Sequence, residues 1–214
     1  MSGVLCKLCE KKRAKRHCPG VGGEICPSCC GTERENTIDC PLDCVFLAEA
    51  RRHERPVPLD AAAVPNADIR LKESFLREHE PLVLWMAFSL SAAMEKERAV
   101  DSDASEALEA LIRTYRTIDS GLIYETRPQN PYAAGLQEAM KKAVDEARER
   151  LTKTAGLVEQ AGGANTLRDK DILGALVFLQ RMALEYQNGR RRGRAFLQML
   201  KTWFPGEKSA ALAL

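Results

Sequence analysis

The stretch CKLCEKKRAKRHCPGVGGEICPSCCGTERENTIDCPLDC, residues 6–44, holds all eight cysteines of a 214-residue chain. They run Cys6-x2-Cys9, Cys18, Cys26-x2-Cys29-Cys30 and Cys40-x3-Cys44, and none occurs in the 170 residues that follow. Two thiolates three positions apart on a tight turn grip one tetrahedral ion, so two CxxC pairs about 17 residues apart are a metal signature. Eight thiolates fill two four-coordinate structural sites and leave no position open. The expected cofactor is zinc, two structural ions, with all eight cysteines as ligands.

Disulfides are the competing use of such a cluster. The first 55 residues carry few large apolar side chains, chiefly Val4, Leu5, Val21, Ile25, Ile38, Leu42, Val45, Phe46 and Leu47. A segment this short needs a metal or cross-links in addition to burial. The opening MSGVLCKLCEKKR lacks the apolar core of a signal sequence, which predicts a cytoplasmic, reducing location and free thiols.

Neighbouring side chains diverge, so Cys29 and Cys30 are expected to serve different ions. The preferred assignment puts Cys6, Cys9, Cys26 and Cys29 on one zinc and Cys18, Cys30, Cys40 and Cys44 on the other. That order interleaves the sites into a cross-brace. A second assignment exchanges Cys29 and Cys30. Pro41 after Cys40, and the run LDCVFLAEARRH, predict a helix with Cys40 near its cap and Cys44 one turn on, both thiolates on the same side. A knuckle plus a pair at a helix start is the treble-clef way of holding zinc, and the helix dipole favours thiolate there. His17 and His53 are spare ligand candidates, both read as solvated residues.

Cys6-x2-Cys9, Cys18-Pro19 and Cys26-x3-Cys30 resemble the opening of the HIT and MYND classes of binuclear zinc finger. The resemblance covers about 25 residues. Val21 stands where the second pair of those fingers ends, and Cys40-x3-Cys44 replaces their closing His/Cys region. It implies an interleaved two-zinc finger with a role in protein interaction or assembly.

Beyond the cysteines, RPVPLDAAAVPNA (55–67) reads as a linker, since three prolines interrupt it without apolar periodicity. Helical spacing dominates afterwards. Helices are predicted over 67–79, 82–97, 103–118, 131–160, 169–188 and 192–204. Asp103 with Glu106 suggests a capping box, Asn130-Pro131 a cap and first turn, and Gly121 and Gly189 stops. Ala133, Leu136, Met140, Ala143, Ala147, Leu151, Thr154 and Val158 form a narrow seam on one helix. Ile172 to Leu179 is apolar nearly all round and marks a central helix. The expected architecture is a metal-stabilised module over 1–54, a linker over 55–67, an all-α bundle of five or six helices over 68–205, and a mobile tail over 206–214.

The chemistry that remains is sparse. Net charge is +2, the longest apolar run is too short to span a bilayer, and no nucleotide-binding or serine-hydrolase motif occurs. Iron–sulfur ligation lacks the tight ferredoxin spacing. A catalytic zinc needs an open position that eight thiolates do not leave. The reading is a non-enzymatic, zinc-binding adaptor for a protein partner. The alternative is nucleic-acid binding by the basic loop 7–17, with Lys11, Lys12, Arg13, Lys15 and Arg16 as candidate contacts. A metal- or redox-sensing role comes third. A second basic run, Arg190, Arg191, Arg192 and Arg194, opens a helix against its dipole, so an anion or acidic partner there relieves the arrangement.

Overall fold

A computed structural model describes residues 4–55, 64–121, 124–158 and 167–205. The first segment folds around its cysteines. A two-stranded antiparallel hairpin, β1 (Arg16–Cys18) and β2 (Gly23–Ile25), pairs Arg16 with Ile25 and Cys18 with Gly23. Its turn needs a left-handed residue, and Gly22 supplies it at φ 61°. Helix α1 (Pro27–Glu33) starts on Cys26, and α2 (Val45–Arg51) starts on Cys44. Ile25, Ile38 and Leu47 are the buried aliphatics of this module, packed among the thiols.

GVGGE (20–24) forms the turn and the start of the second strand of this hairpin, and the sequence expectation for the cysteine pair that follows changes. Cys40 lies ahead of α2 and only Cys44 caps it, so the two are not a turn apart on one helix.

Six helices follow among the described residues: α3 (Glu73–Glu78), α4 (Glu80–Glu97), α5 (Asp101–Asp119), α6 (Pro131–Val158), α7 (Asp169–Tyr186) and α8 (Ala195–Trp203). The expected helix over 67–79 begins only at Glu73. Long-range polar contacts hold the chain before it. Arg181 donates to the carbonyls of Pro65, Asn66 and Ile69, while Arg116 donates to Asn66 and pairs with Asp68. Residues 56–63 of the expected linker, the last two residues of the helix expected over 131–160, and the expected tail lie outside the described residues.

Helix α7 is the central element, buried from Asp171 through Val177 and again at Leu179, Gln180 and Ala183. It packs on α5, and α4 packs on α6, with α8 closing against α4 and α7. The α6 seam meets the core through Ala133, Leu136, Met140, Ala143 and Ala147. At Gly174 a β-carbon would sit 2.4 Å from the Phe75 ring, so only glycine admits α3 this closely. Both ring nitrogens of His79 are engaged, one with the Phe75 carbonyl and one facing Asp171 at 3.4 Å, which ties α3 to α7. No helix among the described residues is long and apolar enough to cross a membrane.

Val100, not the expected Asp103, precedes α5, and Arg168 precedes α7. Asp103 and Asp171 sit one turn in and accept the Val100 and Arg168 backbone N–H groups. The start of α8 is capped from outside: Asp101 accepts the N–H of Phe196 at 3.1 Å and of Leu197 at 3.3 Å.

Burial pushes the Asp101 carboxyl up to about 7, against the pull of those two N–H groups. An unfolded aspartate titrates near ~3.9, so between these limits the folded chain binds the extra proton. The associated stability is therefore full below about pH 4 and is lost as pH rises through about 7. The slope is roughly 1.4 kcal/mol per pH unit between about pH 5 and 7. Urea denaturation across that range should show this decline in the parent chain and a flatter profile in Asp101→Asn. Identical slopes would remove Asp101 as the titrating group.

Candidate metal centre

Cys6, Cys9, Cys26 and Cys29 form a group able to hold a metal ion, their four sulfurs all within 4.8 Å of one another. Cys9 Sγ and Cys26 Sγ are 4.0 Å apart. A regular tetrahedron of ~2.3 Å zinc–sulfur bonds has edges near ~3.8 Å, so the spacing already approximates the coordination shell. Each pair sits on local structure that fixes it. Cys6 and Cys9 occupy a turn closed by Glu10 N–H donating to the Cys6 carbonyl, and Cys6 N–H donates to the Lys12 carbonyl. Cys26 and Cys29 span the first turn of α1, where Pro27 takes an opening helical position and Cys26 Sγ accepts the Cys29 N–H at 3.4 Å.

The electrostatics favour thiolate at Cys6 and Cys9 and oppose it at Cys29. Burial opposes ionisation of Cys6, but backbone N–H groups of Cys26, Cys9 and Leu8 outweigh it and bring the thiol down to about 6. The N–H groups of Lys11 and Lys12 lower Cys9. The Cys26 side chain, with burial, pushes Cys29 up to about 12. Four thiols this close cannot all ionise without a cation, and the charge of a zinc ion relieves that conflict. The donor set therefore fits zinc: four soft sulfurs, N–H groups aimed at them, and no vacant protein position.

The other four cysteines meet elsewhere. Cys18, Cys30, Cys40 and Cys44 all line one small cavity of about 10 Å³, closed by Ile25, Ile38, Phe46 and Leu47. That volume is about one water-sized sphere. Among the described residues their sulfurs do not reach the mutual approach of the first group. Arg16 Nη1 donates to Cys30 Sγ at 3.3 Å, and its guanidinium lies 4.5 Å over the Phe46 ring. Burial raises the Cys40 thiol, and the charges of Glu35, Cys18 and Cys44 add to the effect. Cys29 thus joins the first group and Cys30 the second cavity, on neighbouring positions of α1. His17 and His53 lie in exposed pairs with Glu24 and Glu49.

The basic loop is divided. Lys12 donates to Ser28 Oγ and Arg16 to Cys30, whereas Lys11, Arg13 and Lys15 are exposed.

Sequence reading missed the residue that joins this module to the bundle. Glu35 lies between Cys30 and Cys40, is 1% exposed and has φ 53°. Its carboxylate accepts Arg51 Nη2 at 2.6 Å, Asn188 Nδ2 at 2.8 Å and the Arg194 N–H at 3.0 Å, while its carbonyl accepts the Arg192 N–H at 2.7 Å. Arg194 also pairs with Asp39 at 2.9 Å, and Arg190 donates to the Arg34 carbonyl. The helix expected from 192 begins only at Ala195, so the 190–194 run lies ahead of α8, where Glu35 accepts its backbone N–H groups and Asp39 pairs with Arg194. The available signal was that basic run without an acid beside it.

No protein-family model, no curated protein and no solved structure matches this chain.

Proposed function

We propose that this is a cytoplasmic, non-catalytic adaptor in which two structural zinc ions hold an interleaved finger against a helical bundle. The observation that carries the reading is the group Cys6, Cys9, Cys26 and Cys29, whose four sulfurs lie within 4.8 Å of one another and would leave a bound zinc no open position for substrate or activated water. A second ion would sit in the cavity that Cys18, Cys30, Cys40 and Cys44 line together. The resemblance of residues 6–30 to HIT- and MYND-type fingers supports the same role.

Nucleic-acid binding is the second reading, favoured by the exposure of Lys11, Arg13 and Lys15 on the finger. Reversing these three charges separates the two. On the adaptor reading the parent protein binds neither DNA nor RNA at low salt, and the reversals change nothing there. Binding that falls steeply with salt and disappears in the triple variant, with zinc content intact, would replace the adaptor reading by the nucleic-acid one.

A further inference from the structure

We infer that the cleft between α2 and the α7–α8 corner docks an acidic peptide segment that carries a large apolar side chain. The cleft has a volume of about 770 Å³ and takes one wall from each part of the chain. The end of α2 contributes Arg51, the chain just beyond it Arg55, and the bundle contributes Arg190, Tyr186, Met199 and Trp203. Pockets at such junctions, in this size range and with an aromatic floor, are where ligands are most often held.

Two features specify the occupant. Trp203 is 54% exposed, yet its ring is fixed by an edge contact with Tyr186 at 5.3 Å between centroids. A half-exposed tryptophan held in one orientation, beside the apolar side chains of Leu184 and Met199, is the anchor geometry of a protein interface. Around it the charge is one-sided: Arg51, Arg55 and Arg190 against a single carboxylate, Glu54. Arg51 and Arg190 are partly engaged by Glu35 and the Arg34 carbonyl, whereas Arg55 is exposed at the rim. Carboxylates flanking one apolar side chain complement this pattern. A nucleic-acid strand needs successive stacking platforms along a cationic track, and the cleft offers one exposed tryptophan.

The proposal rests on the zinc reading to the extent that the finger must be folded to supply its wall. The probe is a fluorescein-labelled decapeptide of glutamates with two central leucines, titrated by polarisation into the full chain, with zinc measured on every sample. Saturable binding is expected, weakened about tenfold or more by Trp203→Ala and by Arg55→Glu. Charge reversal at Lys11, Arg13 and Lys15 should leave it unchanged, and a lysine version of the peptide should not bind. Peptide binding that depends on Trp203 and Arg55 in a chain lacking zinc would uphold the cleft and defeat the metal reading. In a zinc-loaded chain, absence of binding, or binding indifferent to both substitutions, overturns the cleft. Oligothymidylate that binds in place of the peptide and is lost on the same substitutions overturns it in favour of nucleic acid.

Discussion

If two zinc ions hold the finger as proposed, Cys44→Ser should release both and residues 4–54 should lose their structure, while helices α3 to α8 stay folded. Cys44 begins α2 and lines the cavity shared with Cys18, Cys30 and Cys40. Without it the proposed second site keeps three of its four cysteines, one short of a closed structural shell. Cys30 then loses its tether, and Cys30 is on the same short helix as Cys29, next to it in sequence. Movement of α1 carries the Cys26–Cys29 half of the first site with it. The aliphatic core left behind is Ile25, Ile38 and Leu47, far less than a module of this length needs. Zinc binding in small fingers contributes about 10–16 kcal/mol, which is the folding free energy itself. The bundle has its own core, from Met86 and Leu90 through Leu108, Met140 and Leu176 to Phe196. Zinc per chain and helical circular dichroism decide the matter. One full zinc equivalent retained in the variant would make the sites independent and end the cross-brace.

Glu35→Ala is the second large effect. The substitution leaves the Arg51 guanidinium, itself 12% exposed, without its carboxylate, and strips the Asn188 amide and the Arg194 N–H of their acceptor. Breaking one side of a buried pair costs about 3–5 kcal/mol, because the remaining charge stays desolvated. Glu35 also stands in the left-handed region, where glycine is the ordinary choice and a glutamate costs roughly 1–2 kcal/mol. Its side-chain contacts offset that cost. Denaturation should show the loss, and hydrogen exchange should quicken at residues 34–39 and 190–194 ahead of the α4–α7 core. The double variant Glu35→Ala/Arg51→Ala should cost less than the sum of the singles. A loss under about 1 kcal/mol would mean that the junction is held elsewhere.

What the sequence revealed and what it hid divide along the range of the interactions. The four-cysteine group able to hold a metal was readable from Cys6-x2-Cys9 and Cys26-x2-Cys29, because knuckle geometry is local. The helices α4 to α8 were readable from their apolar spacing, and Gly121 and Asn130-Pro131 from turn chemistry. The hairpin β1–β2 was not, since strands of three residues carry no usable alternation and draw their order from the sulfurs around them. Nor was the late start of α3, where Arg116 and Arg181 reach across the bundle to hold residues 65–69. The capping of α8 by Asp101 and the joint at Glu35 involve separations of about 95 and 159 residues, beyond any local pattern. The arginine run at 190–194 signalled a missing acid without indicating where that acid lay.

The most direct test of the account is the metal content of protein purified without added metal, combined with X-ray absorption at the metal edge. Two zinc ions per chain, a colourless protein and sulfur ligation at ~2.3 Å are the expected result. One metal per chain, or a brown protein with charge-transfer absorption, would contradict it.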